Sequence, residues 1–120
     1  MIVRTDTLPD WVFVGGGFQT YEFVLRSENG AYYDLPNAKV YLDVADYMDP
    51  THLVLQMNVT TSKHPVSGAS CLASFSLTPV ATANLSGRFI YQITVESADG
   101  VIAPPMRGRM FVTKNINQMV

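Results

Sequence analysis

Arg88-Phe89-Ile90-Tyr91-Gln92-Ile93-Thr94-Val95-Glu96-Ser97 sets Phe89, Tyr91, Ile93 and Val95 at alternate positions. Successive side chains of a strand point to opposite faces, so this spacing predicts a strand with one inward, apolar face. Asp99-Gly100 follows as a hairpin turn, and Met106 to Thr113 resumes the alternation, with Met110 and Val112 set between Arg109, Phe111 and Thr113. Upstream, Ser70 to Leu77 places Cys71, Ala73, Phe75 and Leu77 on one side and mostly serine on the other. Between these strands the period breaks. Thr78 is suited to cap a helix, Pro79 fits its first turn, and Val80-Ala81-Thr82-Ala83-Asn84 supplies one short helical turn before Gly87. That turn is expected to carry the chain from one sheet to another.

The same reading extends toward the N-terminus. Thr20 to Arg26 puts Tyr21, Phe23 and Leu25 on one face, and Asn29-Gly30 tolerates the positive φ of a tight turn into Ala31-Tyr32-Tyr33. Ala38 to Ala45 alternates Val40, Leu42 and Val44 with Lys39, Tyr41 and Asp43. Asp46 to Pro50 reads as a polar loop, Leu53 to Thr60 as a strand, and Thr61 to Gly68 as a loop. Near the start, Gly15-Gly16-Gly17 reads as a flexible bend or bulge between a first strand and a second. About seven strands in one chain, with turn residues every ten positions or so, predict an all-β, immunoglobulin-like antiparallel β-sandwich without the Cys…Trp…Cys signature of antibody domains. A single domain over 1–120 is expected, with its core at about 11–113 and a flanking arm at each end.

Composition narrows the function. The chain has 120 residues, 8 Lys+Arg against 10 Asp+Glu and a net charge of -2. That balance offers no basic field, and the arginines are scattered along the sequence, so nucleic-acid binding is not expected. Charged residues are 15% of the chain, against about 25% in an ordinary soluble domain. Some of the surface is therefore expected to meet a partner. No apolar run approaches the roughly 20 residues of a membrane helix, and Met1-Ile2-Val3-Arg4-Thr5-Asp6 lacks the apolar core of a signal peptide. Synthesis in the cytoplasm is expected, and the sequons at Asn58 and Asn84 are read as chance.

Groups able to carry chemistry are sparse. The one cysteine, Cys71, lies on an apolar strand face and is read as core, and His52 and His64 are read as exposed loop residues. Asp43, Asp46, Asp49 and His52 are the best candidates for a hard cation, but they lack EF-hand spacing, so a solvated acidic loop is preferred. Gly15-Gly16-Gly17 is not followed by Gly-Lys-Ser/Thr and does not read as a phosphate cradle. No enzyme, cofactor or metal is expected. Trp11, Phe13, Tyr41 and Tyr47 are weighed as stacking platforms for sugar rings, with core burial as the simpler reading for Trp11 and Phe13. Tyr41, Tyr47 and Met48 also suit a protein interface, where Tyr and Met are enriched.

Several segments carry a family resemblance: Glu28-Asn29-Gly30, Tyr33-Asp34-Leu35-Pro36-Asn37-Ala38, Lys39 to Val44, Gly87-Arg88-Phe89-Ile90-Tyr91-Gln92-Ile93, Asp99-Gly100 and Arg107-Gly108-Arg109-Met110-Phe111-Val112. Together, over about Gln19 to Thr113, the chain resembles the immunoglobulin-like domain at the N-terminus of phage baseplate upper proteins. In that family an Asp-Leu-Thr-Gly-Ala run stands where this chain has Asp34-Leu35-Pro36-Asn37-Ala38. The resemblance implies a non-enzymatic structural protein of the virion that contacts other virion proteins, or further copies of itself, as a capsid, head-tail or tail accessory. Expected contact residues are Met1, Ile2, Val3, Trp11, Tyr41, Tyr47, Met48, Met119 and Val120. The alternative is a carbohydrate-binding or adhesion module, the one reading under which a glycan is a partner.

Overall fold

A computed structural model describes residues 8–27, 29–83 and 85–113. Its strands are β1 (Trp11–Val14), β2 (Gln19–Val24), β3 (Lys39–Asp46), β4 (Leu53–Thr60), β5 (Ser62–Lys63), β6 (Ser70–Leu77), β7 (Gly87–Glu96) and β8 (Met106–Thr113). One helical turn, α1 (Pro79–Thr82), lies between β6 and β7. The strands form a five-stranded sheet, β1-β8-β7-β3-β4, and a three-stranded sheet, β2-β6-β5. The chain changes sheet after β1, β2, β4 and β6, and β1 runs parallel to β8 while the other named pairs are antiparallel. The second strand beside the sixth, and the seventh between the third and eighth, is the strand order of an immunoglobulin-like sandwich.

The inward faces are the ones that alternation marks. Val40, Leu42, Val44, Cys71, Ala73, Phe75, Leu77, Tyr91, Ile93 and Val95 have no exposed surface. Each large apolar side chain so buried contributes about 1.5–3 kcal/mol relative to exposure. Tyr91, the largest, lies opposite Gly108 in the β7–β8 register. A Cβ at Gly108 would stand 2.7 Å from the Tyr91 ring and 2.9 Å from Leu8, so the ring fills the place where a side chain would be.

The helical turn forms as its residues dictate. Thr78 Oγ1 accepts the Ala81 N–H at 3.2 Å and Pro79 occupies the first turn. Thr82, the one fully buried polar side chain among the described residues, turns away from solvent toward the glycine run. Its Oγ1 accepts the Gly16 N–H at 3.1 Å and donates to the Gly17 carbonyl at 3.0 Å. Gly15 is buried, and a Cβ there would come within 2.9 Å of the Leu85 carbonyl. The run expected to be a flexible bend is thus a docked turn, held because Thr82 supplies the polar partner its backbone needs.

Two other expectations are modified. The loop expected over Thr61 to Gly68 contains β5, which makes eight strands among the described residues. Two polar residues pairing with β6 leave no periodic signal. After the Asn29-Gly30 turn the chain does not continue as a strand: Arg26 and Tyr32 form an isolated bridge, with Gly30 at φ +85° and its carbonyl accepting from Arg26 Nη1 at 2.9 Å.

Candidate functional site

Residues paired across a sheet share a face, so the registers assemble the outward side of the five-stranded sheet. Val12 of β1 lies beside Phe111 of β8, and Phe111 beside Arg88 of β7. The row ends at Tyr47, whose N–H donates to the Arg88 carbonyl at 3.3 Å and whose ring lies 5.5 Å below the Arg88 guanidinium. In the next row Arg109 neighbours Ile90, Ile90 neighbours Ala45, and Ala45 neighbours Leu53. Arg109 also forms a two-pronged pair with Asp10, both distances being 3.2 Å. Farther along, Arg107 Nε donates to Gln92 Oε1 at 2.8 Å.

Two shallow hollows open on this face. One, of about 340 Å³, is lined by Leu8, Tyr47, Ile90 and the Arg107-Gly108-Arg109 segment; the other, of about 250 Å³, lies between Ile90, Leu53 and Pro50. Ile90 and Arg107 border both. Tyr47 and Leu53, which line them, and Val12 at the other end of the first row are exposed. The result is a discontinuous apolar floor crossed by three arginines, a composition typical of protein interfaces, where aromatics, Met and Arg are enriched. Arginines that read as scattered in sequence converge here because β7 and β8 are neighbours and alternation turns Arg88, Arg107 and Arg109 to the same side.

Of the residues expected to make contacts, Tyr47 belongs to this face, and Met48 follows it in the loop, 85% exposed. Tyr41 is partly buried and donates its hydroxyl to Glu96 Oε1 at 2.8 Å, a bond that raises its pKa. Trp11 points the other way. Its ring packs against Phe13, Tyr21 and Tyr91 at centroid distances of 5.2, 4.7 and 5.8 Å, closing the end of the core. Within this cluster Tyr91 donates to the Pro9 carbonyl at 2.6 Å, and burial, followed by its contact with Tyr21, pushes the phenol well above the usual tyrosine range. Phe13 is buried, so Trp11, Phe13, Tyr41 and Tyr47 do not make the row of exposed rings that sugar stacking needs. Met1, Ile2, Val3, Met119 and Val120 lie outside the described residues.

Sequence reasoning missed Val12, Ile90, Phe111 and the three arginines. Alternation already turned each of them outward, but the register that sets them side by side is a tertiary property.

The groups weighed for chemistry are engaged locally. Cys71 is buried. His64, read as an unremarkable loop residue, accepts the Val66 and Ser67 N–H groups at Nδ1, 3.2 and 3.4 Å away, and packs on Tyr32. Its role is to close the turn after β5. Among the described residues no three His, Cys, Asp or Glu side chains converge to hold a metal ion. Asp43 accepts from Gln56 at 3.4 Å, Asp46 from the Met48 N–H at 3.0 Å, and Asp49 from both the hydroxyl and N–H of Thr51 at 2.6 and 3.2 Å.

The Thr51 hydroxyl, then its N–H, holds the Asp49 carboxyl below its ordinary value. A depressed folded pKa stabilises the loop above the unfolded value, and that contribution is lost as pH falls through the folded one. An acid titration followed at the Thr51 amide by NMR is therefore expected to show a midpoint below the unperturbed 3.8. A midpoint at or above that value would contradict the assigned bonds.

Fold and face together define an immunoglobulin-like β-sandwich module with an apolar, arginine-crossed sheet surface. No family model matches the chain, and no curated protein matches it. Among solved structures it is similar to fibronectin(III)-like modules of Clostridium thermocellum CbhA, at 8% identity over 94% of this chain and 95% of that one, with a TM-score of 0.45. So weak a likeness adds no argument, and the fold assignment rests on the strand order.

Proposed function

We propose that this chain is a non-enzymatic binding module that docks other proteins on the outward face of its five-stranded sheet, and that it serves as a structural component of a bacteriophage virion. The observation that carries the docking role is the gathering of Val12, Tyr47, Ile90 and Phe111 with Arg88, Arg107 and Arg109 on one exposed surface. Such a face can bury aromatic and aliphatic anchors at its centre while the arginines make polar bonds at its rim.

The phage context is supported by the turns that carry the sequence resemblance. Asn37 occupies the place of glycine in the family's Asp-Leu-Thr-Gly-Ala run, and its φ of +59° lies in the left-handed region that glycine and asparagine favour. Asp34 in the same run accepts the Ser70 N–H at 2.6 Å, tying the turn to β6. Asp34, shared with the family, and Asn37, in the place of its glycine, thus play the conformational parts those positions call for.

The test is mass spectrometry of purified virions from the phage that encodes the chain. Peptides of this chain are expected among the virion proteins. The double substitution Arg88→Glu with Ile90→Asp is expected to reduce its incorporation by about tenfold or more, with the isolated variant still folded. Absence of the wild-type chain from virions would overturn the structural role, and full incorporation of the folded variant would overturn the choice of face. The adhesion reading shares the same sandwich; glycan-array binding that the double substitution leaves intact would favour it instead.

A further inference from the structure

The five-stranded sheet ends on β4, and among the described residues no strand pairs with its outer side. Leu53-Val54-Leu55-Gln56-Met57-Asn58-Val59-Thr60 contains no charged residue and no proline. Open edges normally carry some such device, because their unpaired N–H and C=O groups template pairing with another chain. The other edge strands are protected: β1 has 4 residues, β5 has 2 including Lys63, and β2 carries Glu22. In β4 the pairing passes from Val44–Leu55 to Ala45–Leu53, leaving a bulge at Val54. That irregularity guards only the beginning of the strand, and Leu55 to Thr60 is regular.

The register identifies the open groups. Thr61 donates its N–H to the Ala38 carbonyl at 2.9 Å. Bonded and non-bonded pairs alternate along an antiparallel ladder, so the bonded pairs continue as Val40–Val59, Leu42–Met57 and Val44–Leu55. Gln56, Asn58 and Thr60 therefore aim their N–H and C=O groups at the open edge, and all three residues are exposed. On the inner side Val54, Leu55, Met57 and Val59 are only partly buried. The opposing sheet ends here on β5, whose 2 residues cannot cover them.

We infer that β4 pairs antiparallel with β4 of a second copy of this chain about a two-fold axis at Asn58, joining two five-stranded sheets into one. In that register Asn58 faces Asn58 of the second copy and Gln56 faces its Thr60, so each of the three outward-aimed residues gives one N–H and accepts one. Met57 falls beside Val59 of the second copy, and each strand extends cover over the other's partly buried face. A two-fold axis brings identical groups together, which a charged strand resists and an uncharged one allows. This inference uses the edge of the sheet and stands apart from the docking face proposed above.

Size-exclusion chromatography with light scattering on the full chain tests it. The wild type is expected to run at twice the 13.2 kDa chain mass. The exposed substitution Asn58→Lys is expected to weaken the dimer by about tenfold or more, and Asn58→Cys to be captured as a dimer by a short thiol cross-linker while Cys71 stays buried. A wild type that remains monomeric at about 100 µM, or a dimer that Asn58→Lys leaves unchanged, overturns the inference. Hydrogen exchange on the wild type decides the matter even if the variant fails to fold. The Gln56, Asn58 and Thr60 amides should exchange more slowly as concentration rises, and protection independent of concentration would assign the edge to another segment and overturn self-pairing.

Discussion

Tyr91→Ala is expected to lower the unfolding free energy by about 3–5 kcal/mol, the cost of deleting a large buried aromatic. Tyr91 has no exposed surface. Its ring covers the side-chain-free surface of Gly108 and meets Tyr21 edge-on at 5.6 Å and Trp11 edge-on at 5.8 Å. Truncation would empty the point where β1, β2, β7 and β8 converge. A domain of this size has about 5–15 kcal/mol in total, so the variant stands near the limit of folding. Tyr91→Phe keeps the ring and loses the bond to the Pro9 carbonyl and the 3.5 Å hydroxyl contact with Tyr21, for an expected cost of about 1–2 kcal/mol. Urea unfolding followed by fluorescence of Trp11, the single tryptophan, reads both variants from inside the cluster. A cost below about 1 kcal/mol for Tyr91→Ala would mean that this cluster does not hold the two sheets together.

Thr82→Val is expected to be the next most damaging change, at about 2–4 kcal/mol, because a near-isosteric methyl leaves two backbone groups without their partner. Those groups are the Gly16 N–H and the Gly17 carbonyl. Gly15 fits so closely beneath Leu85 and Thr82 that the turn has little room to shift toward other partners. Thr82→Ser retains the hydroxyl and should cost much less. Thermal melts of the two variants, with amide exchange at Gly16, check the assignment. Equal stability of the valine and serine variants would show that packing, rather than the hydroxyl, anchors the glycine turn.

The parts of the fold legible in the sequence are those with a local cause. Phe89, Tyr91, Ile93 and Val95 are inward because a strand alternates, and Thr78-Pro79 starts a helical turn because its side chain and fixed φ suit that start. The Asn29-Gly30 and Asp99-Gly100 turns follow the same logic, with Gly30 and Gly100 at φ +85° and +89°. β5 was not legible, since two polar residues carry no period. Nor was the bond from Thr82 to the glycine run, which joins segments far apart in the chain.

The candidate face was half legible. Tyr47 and Met48 could be placed on the surface from a polar loop alone. Trp11 misled as a contact residue because strand alternation allows either direction until a core exists on one side. Val12, its neighbour, took the outward position instead.

By itself the sequence determined that the chain is all-β, which residues alternate together on each strand, and where the main turns fall, because these are properties of a few consecutive residues. Only the tertiary structure decided that β1 runs parallel to β8, that Arg107 and Arg109 of β8 meet beside Ile90 of β7, and that β4 is left with an open, uncharged edge. Many pairings satisfy the same alternation, and the choice among them comes from burying all the inward faces at once in a single sandwich.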